Sequence, residues 1–146
     1  METANSQIIY KVNHSISVDD FLNLINQSPL DTLVPSDNLA LLDSMLNNAD
    51  LLISAWVDEQ LVGFARGITD FSFCCYISEI AVDTEYLHQG VGKHLLRLTA
   101  EELPPECQII FRSTPDSQNT YPKLGFTPIP HIWHISAKQF IEKVKS

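Results

Sequence analysis

The sequence has 146 residues, of which 45% are hydrophobic and 18% charged, and this balance predicts a single globular domain over residues 1–146. Its formal net charge of −9 disfavours binding to nucleic acid and to anionic membranes. The sequence has no apolar run long enough to span a bilayer and no signal-peptide pattern, and Cys74 and Cys75 are adjacent, so we expect a cytoplasmic protein with reduced thiols.

The first fifty residues predict one strand followed by two helices. Residues 8–12 alternate apolar and polar side chains, as a strand does, and Ser17 is an N-cap residue ahead of an apolar helical pattern. A second pattern with helical spacing begins after Pro35 and ends near Asn47. The order at this end of the chain is therefore strand, helix, helix.

The middle of the sequence predicts three strands and a helix. Residues 51–57 and 61–68 are apolar runs separated by three polar residues, so they predict an antiparallel hairpin. Residues 73–82 form a longer β-prone run, and a helical pattern that opens at Gly90 stops before Pro104. The connection between this strand and this helix is a glycine turn.

The last forty residues predict two strands and two short helices. Residues 107–111 predict a fifth strand, and residues 117–124 predict a helix that ends at Gly125 in a left-handed conformation. Residues 129–135, although interrupted by a proline, predict a strand at the sheet edge, and residues 137–144 predict an amphipathic helix. The predicted fold class is α/β with a mixed sheet.

The most informative motif is the glycine turn at Gly90 and Gly92. Free backbone N–H groups and the helix dipole at such a helix N-terminus bind anions, which predicts a site for the pyrophosphate of a cofactor. The sequence fits neither a P-loop nor a dinucleotide-binding fingerprint, because His94 and Leu95 stand where those motifs need other residues. The alternative is that the glycines only permit close packing of helix on strand.

Three stretches resemble the GNAT superfamily of N-acetyltransferases. The segment IAVDTEYLHQGVGKHLL, residues 80–96, is similar to the family's pyrophosphate-binding motif Q/R-x-x-G-x-G/A, except that Leu87 takes the place of the usual glutamine or arginine. The segment NTYPKLGF, residues 119–126, resembles the signature Y-x-K-x-G-F. The segment LVGFARG, residues 61–67, is similar to the start of the family's third strand. The resemblance covers nearly the whole chain.

This resemblance implies the GNAT acyl-CoA N-acyltransferase fold, an α/β (α+β) fold with a mixed, mostly antiparallel central sheet, splayed strands 4 and 5, and helices on both faces. It also implies acetyl-CoA as the co-substrate, held by main-chain groups of the fourth strand and by the glycine turn. The implied cofactor-binding residues are Ile80, Ala81, Val82, His88, Gln89, Gly90, Val91, Gly92 and Lys93.

Acyl transfer to an amine needs a base for the nucleophile and an acid for the departing thiolate. Tyr121 falls on the family's tyrosine, and the resemblance implies that its hydroxyl is the acid; otherwise it is a core tyrosine. Glu79, just before the IAV segment, is either the base, directly or through water, or an exposed strand glutamate. His131 and His134 would point to opposite faces of an edge strand, so we expect no metal site.

The sequence favours an acetyltransferase that moves an acetyl group from acetyl-CoA directly to a primary amine in a ternary complex. Other acyl groups and hydroxyl acceptors are enzymatic alternatives, and a catalytically decayed CoA-binding sensor or interaction module, suggested by Leu87, is an alternative of another class. Residues 1–65 hold nine acidic residues and one basic residue, which predicts a cationic small molecule or peptide as acceptor; the alternative is that these acidic residues serve only solubility. The predicted edge strand near Trp133 leaves a homodimer open.

Overall fold

The structure is a computed structural model and describes residues 7–29, 34–114 and 119–145. The chain divides into two compact units, Met1–Arg112 and Ser113–Ser146. The sheet and the glycine turn belong to the first unit, and Tyr121 belongs to the second. The single domain expected from the sequence stays a prediction.

Among the described residues, the first unit contains five strands and three α-helices, together with a 3₁₀ turn at Thr84–Tyr86. In chain order they are β1 Ile9–Val12, α1 Val18–Asn26, α2 Leu39–Asn47, β2 Leu51–Val57, β3 Gln60–Thr69, β4 Cys74–Val82, α3 Val91–Glu101 and β5 Gln108–Phe111. Each strand and α-helix matches an element that the sequence predicts. The predicted order of this part of the chain is therefore confirmed.

Local side-chain and backbone chemistry fixes where the elements of the first unit begin and turn. Ser17 Oγ accepts a hydrogen bond from Asp20 N at 3.1 Å, which caps α1 as predicted. The hairpin between β2 and β3 turns on Asp58 and Glu59, whose φ angles are +47° and +68°. Two left-handed residues in a two-residue loop form a type I′ turn, whose twist matches that of the strands, so this turn sets the register of the hairpin.

The five strands form one sheet in the order β1-β2-β3-β4-β5. β4 and β5 are parallel, and all other neighbours are antiparallel. Consecutive residues of β3 point to opposite faces: Phe64 meets the ring of Phe21 in α1 at 4.9 Å, whereas Gly63 lies against Val91 and Leu95 of α3. The predicted mixed sheet with helices on both faces is thus confirmed, with α1 and α2 on one face and α3 on the other.

β4 carries one extra residue where it passes Arg66. Glu79 pairs with Arg66 of β3, whereas Ile77 pairs with the very next residue of β3, so Ser78 is additional and forms a β-bulge. The pairing with β5 ends at the same place, because its last pair joins Ile77 to the final residue of β5. The second half of β4, residues 78–82, therefore has β3 on one edge and no strand of the described chain on the other.

The second unit contains two helices among its described residues, α4 Thr120–Lys123 and α5 Ala137–Val144. Gly125 follows α4 with a φ of +96°, which is the left-handed cap that the sequence predicts. Residues 117 and 118, the first two of the predicted helix, lie outside the described residues. The bounds of α5 are those predicted.

The prediction of a strand at residues 129–135 was wrong. These residues form turns and irregular chain. Pro128 and Pro130 have no backbone N–H to donate to a β-ladder, so two donors are missing where the strand would begin. The predicted edge strand is therefore not formed. Two expectations had assumed it: that His131 and His134 point to opposite faces, and that a homodimer could form at an edge near Trp133.

Candidate functional site

The glycine turn at the N-terminus of α3 has open space in front of it. Gly90 is the N-cap residue and has a left-handed φ of +81°, which favours glycine. A Cβ built on Gly90 would meet no described atom within 4 Å, and one built on Gly92 would approach Val82 Cγ2 at 3.9 Å, an ordinary contact. Close packing of the helix on the strand therefore does not explain either glycine.

The first backbone N–H groups of α3 precede its first helical hydrogen bond. That bond runs from His94 N to Gly90 O at 3.0 Å, so the N–H groups of Val91, Gly92 and Lys93 lie ahead of it. Gly90 has no side chain to cap them. The helix dipole adds partial positive charge, and Lys93 is exposed at the same turn. These features fit a pyrophosphate group, and a side chain at Gly90 would project into its space.

The other residues of the predicted cofactor site lie on the adjoining loop and strand. His88, with a φ of +64°, and Gln89 are exposed on the loop. Residues 80–82 continue β4 beyond its last pair with β5, so one edge of this segment has no strand partner in the described chain. Backbone groups on such an edge can bind an extended ligand through main-chain hydrogen bonds. This edge fits a pantetheine arm.

Glu79, the predicted base, is held in a buried ion pair with Arg66. Arg66 Nε donates to Glu79 Oε1 at 2.6 Å, and Nη2 donates to Glu79 Oε2 and to Ser78 Oγ, each at 2.9 Å. Both charged side chains are only 9% exposed. The alternative of an exposed strand glutamate is therefore wrong, and both carboxylate oxygens are oriented by the guanidinium.

Sequence reasoning missed Arg66. The signal was present, because Arg66 is the charged residue within the otherwise apolar run 61–68. A charged side chain inside a strand buried on both faces needs a partner of opposite charge. Glu79, on the strand that follows in the sequence, was a candidate for this partner.

Tyr121, the predicted acid, lies in the first turn of α4 in the second unit. Its ring meets the ring of Phe126 edge-on, with 5.9 Å between the centroids. Its backbone C=O accepts hydrogen bonds from Leu124 N at 3.0 Å and from Phe126 N at 3.1 Å. These contacts join Tyr121 to the chain that follows α4, and its ring is half-buried. Its catalytic role stays a prediction.

A polar cavity of about 340 Å³ is lined by α1, the start of β3 and the 3₁₀ turn ahead of the glycine turn. Its lining includes three carboxylates, those of Asp20, Asp83 and Glu85. Carboxylates repel a pyrophosphate, so this cavity does not suit the phosphorylated end of a cofactor. The glycine turn remains the better candidate.

Within residues 7–29, 34–114 and 119–145 the structure contains neither a candidate metal site nor a candidate membrane-spanning helix. No three His, Cys, Asp or Glu side chains in these ranges are grouped so that they could hold a metal ion. None of the helices there is both long enough and apolar enough to cross a membrane.

The fold is similar to solved structures of acetyltransferases. A probable acetyltransferase from meticillin-resistant Staphylococcus aureus has a TM-score of 0.72 at 18% identity, over 89% of this chain and 99% of that one. A GNAT-family acetyltransferase from Streptococcus pneumoniae has a TM-score of 0.69 at 20% identity, over 88% and 98%. An aminoglycoside N-acetyltransferase in complex with CoA has a TM-score of 0.64 at 18% identity, over 94% and 99%. At such identities the likeness shows the fold alone.

The sequence also matches a family model. The acetyltransferase (GNAT) family matches residues 17–126, which is more than half of the chain and includes the glycine turn and Tyr121. A search of curated proteins found no match. The chain belongs to the GNAT family of acetyltransferases.

Proposed function

We propose that the protein transfers an acetyl group from acetyl-CoA to a primary amine within a ternary complex, without a covalent enzyme intermediate. The observation that carries this proposal is the open glycine turn at Gly90, next to a half of β4 with one edge unpaired in the described chain. Membership of the GNAT family supports the reaction type.

Acetyl-CoA, which supplies an activated acyl group, is held largely by main-chain groups. The backbone N–H groups at the start of α3 bind its pyrophosphate, and the exposed side chains of His88, Gln89 and Lys93 surround it. The unpaired edge of residues 80–82 binds the pantetheine arm. The CoA complex of the aminoglycoside N-acetyltransferase, which has a similar fold, supports this co-substrate.

The reaction exchanges one bond and moves two protons. The nitrogen of the neutral amine bonds to the acetyl carbon, the carbon–sulfur bond breaks, the nitrogen loses a proton and the sulfur gains one. Glu79 accepts the proton from nitrogen, directly or through a water molecule, and the Tyr121 hydroxyl donates the proton to sulfur. Cys74 and Cys75 take no part, because no bond to the enzyme forms.

The proposed acceptor is a cationic amine. Residues 1–65 hold nine acidic residues and one basic residue, and Asp37 and Asp43 are exposed at α2. The range of attraction between exposed charges falls from about 30 Å at 0.01 M salt to about 10 Å at 0.1 M. The acceptor KM should therefore rise with salt, and Asp37→Asn with Asp43→Asn should raise KM at low salt. Glu106→Gln is the control, because it removes one negative charge outside residues 1–65 and should leave the acceptor KM unchanged.

A CoA-binding sensor without turnover is the second candidate function. Two observations favour it: Arg66 engages both oxygens of Glu79, and Leu87 stands where the family has a polar residue. A panel of amines with acetyl-CoA, followed by thiol release and by the mass of the product, separates the two functions. Thiol release with an acetylated amine supports the transferase. CoA binding by calorimetry without thiol release for any amine would replace it with the sensor.

A further inference from the structure

We infer that Arg66 is a positioning residue, which acts on acetyl transfer by holding the carboxylate of Glu79. The inference rests on the proposed function, in which Glu79 is the base. Three features of the pair support it: the register of the strands, the geometry of the hydrogen bonds and the burial of both side chains.

The β-bulge sets Ser78 and Glu79 side by side against Arg66. A bulge places two residues of one strand opposite a single residue of its neighbour. Arg66 Nη2 donates to Ser78 Oγ and to Glu79 Oε2, each at 2.9 Å, so one guanidinium group binds both side chains. β4 loses its pairing with β5 at the same position. Arg66 therefore holds Glu79 just beyond the last pair between β4 and β5.

The hydrogen bonds fix the orientation of the carboxylate. Arg66 Nε and Nη2 each bind a different oxygen of Glu79, at 2.6 Å and 2.9 Å. Two such bonds from a planar guanidinium restrict rotation of the carboxylate, which a lysine ammonium would not do. Each carboxylate oxygen has a second lone pair for an amine or a water. Glu79 thus keeps its ability to accept a proton while it loses rotational freedom.

The pair lies where the helical cover of one sheet face ends. Phe64, two residues before Arg66 on the same face of β3, is fully buried, whereas Ile68, two residues after it, is 42% exposed. The Arg66 and Glu79 side chains between these extremes are 9% exposed. The pair therefore lies between the covered and the exposed part of this face, and its burial removes most of the water that would otherwise compete for the carboxylate.

A second ion pair of the same residue types provides a matched comparison. Arg97 Nε and Glu101 Oε1 lie 3.0 Å apart on one face of α3, with side chains 67% and 52% exposed. An exposed ion pair of this kind contributes little to the stability of the fold, because water and salt screen both charges. Arg97→Met therefore controls for the loss of an arginine without the loss of a buried contact.

A kinetic double-mutant cycle tests the inference. The variants are Arg66→Met, Glu79→Gln and the double variant, each assayed with acetyl-CoA and the best amine for the unchanged protein. Glu79→Gln should lower kcat about 10²- to 10⁴-fold, and Arg66→Met about 10²-fold through misplacement of the base. Acceptor KM and CoA affinity should change little. Because Arg66 acts through Glu79, the double variant should lose no more than Glu79→Gln alone.

Circular dichroism checks that each variant folds, and Arg97→Met should keep the kcat of the unchanged protein. Arg66→Lys retains a buried positive charge without the paired bonds, so it stays informative where Arg66→Met misfolds, and it should also lower kcat. Either of two results would overturn the inference and leave the proposed function intact: an undiminished kcat in the folded Arg66 variants, or a double variant whose loss of kcat is the product of the two single losses. An unchanged protein that acetylates no amine would overturn the proposed function together with the inference.

Discussion

Gly63 on β3 lies directly against Val91 at the start of α3. A Cβ built on Gly63 would lie 3.0 Å from Val91 Cγ1 and 3.3 Å from Leu95 Cδ1, which is too close for an undisturbed contact. Val91 follows Gly90 in the chain, so a displacement of Val91 would also move the glycine turn.

Gly63→Ala should therefore weaken CoA binding, and overpacking should lower the free energy of unfolding by about 1–3 kcal/mol. Calorimetry and denaturant unfolding measure the two effects. Gly67→Ala is the control, because its Cβ would crowd Cys75 Sγ at 3.2 Å, a contact that does not involve α3. An equal loss of CoA affinity in both variants would contradict a link between Gly63 and the turn.

Gly90→Glu should abolish CoA binding while the fold survives. The carboxylate would occupy and charge the space in front of α3, but its Cβ would meet no described atom within 4 Å. Gly90→Ala separates backbone strain from charge, since the left-handed φ alone costs a non-glycine residue about 1–2 kcal/mol. We expect weakened binding for alanine and none for glutamate in calorimetry. A folded Gly90→Glu variant that binds CoA normally would move the cofactor site elsewhere.

Tyr121→Phe should lower kcat roughly 10- to 10⁴-fold, the usual range for loss of a general acid. CoA affinity should change little, because phenylalanine retains the edge-on contact with Phe126. Single-turnover measurements isolate the chemical step. Tyr76→Phe, on the exposed part of β4, removes a hydroxyl from a residue without a proposed role and should leave the rate unchanged. An undiminished rate for Tyr121→Phe would remove this residue from the mechanism.

Cys75 should resist alkylation in the folded protein. Its side chain is fully buried, and burial raises the pKa of its thiol from 9.0 to about 11. The folded protein holds the thiol proton more tightly than the unfolded chain does. The stability that this difference provides is present below pH 9 and is lost as the pH rises towards 11. In a variant that combines Cys74→Ser and Cys107→Ser, iodoacetamide at pH 8 should label the protein in urea and not in buffer. Equal labelling in both conditions would contradict the burial of this thiol.

Most of the first unit could be predicted because its signals are local. The N-cap at Ser17, the apolar runs of β2 and β3 and the glycine turn at Gly90 each depend on a few neighbouring residues. The apolar content of residues 129–135 was misleading for the same reason. It describes side chains, whereas the absence of two proline N–H groups acts on the backbone.

The Arg66–Glu79 pair could not be predicted from such signals. The two residues are 13 positions apart, and their contact depends on the register between β3 and β4 and on the extra residue at Ser78. A shift of one position would turn the Glu79 side chain to the other face of the sheet. Propensity and periodicity do not specify a register to one residue, so the orientation of the proposed base became visible only in the folded chain.

The bulge at Ser78 makes the number of residues in β4 as important as their identity. Residues 74–77 pair with β3 and β5 at once, so the deletion of one of them would shift two ladders together. Deletion of Ser78 would leave Ile77 opposite Gly67, but it would remove the bulge and the Ser78 hydroxyl that binds Arg66. This strand should therefore accept exchanges of exposed side chains much more readily than insertions or deletions.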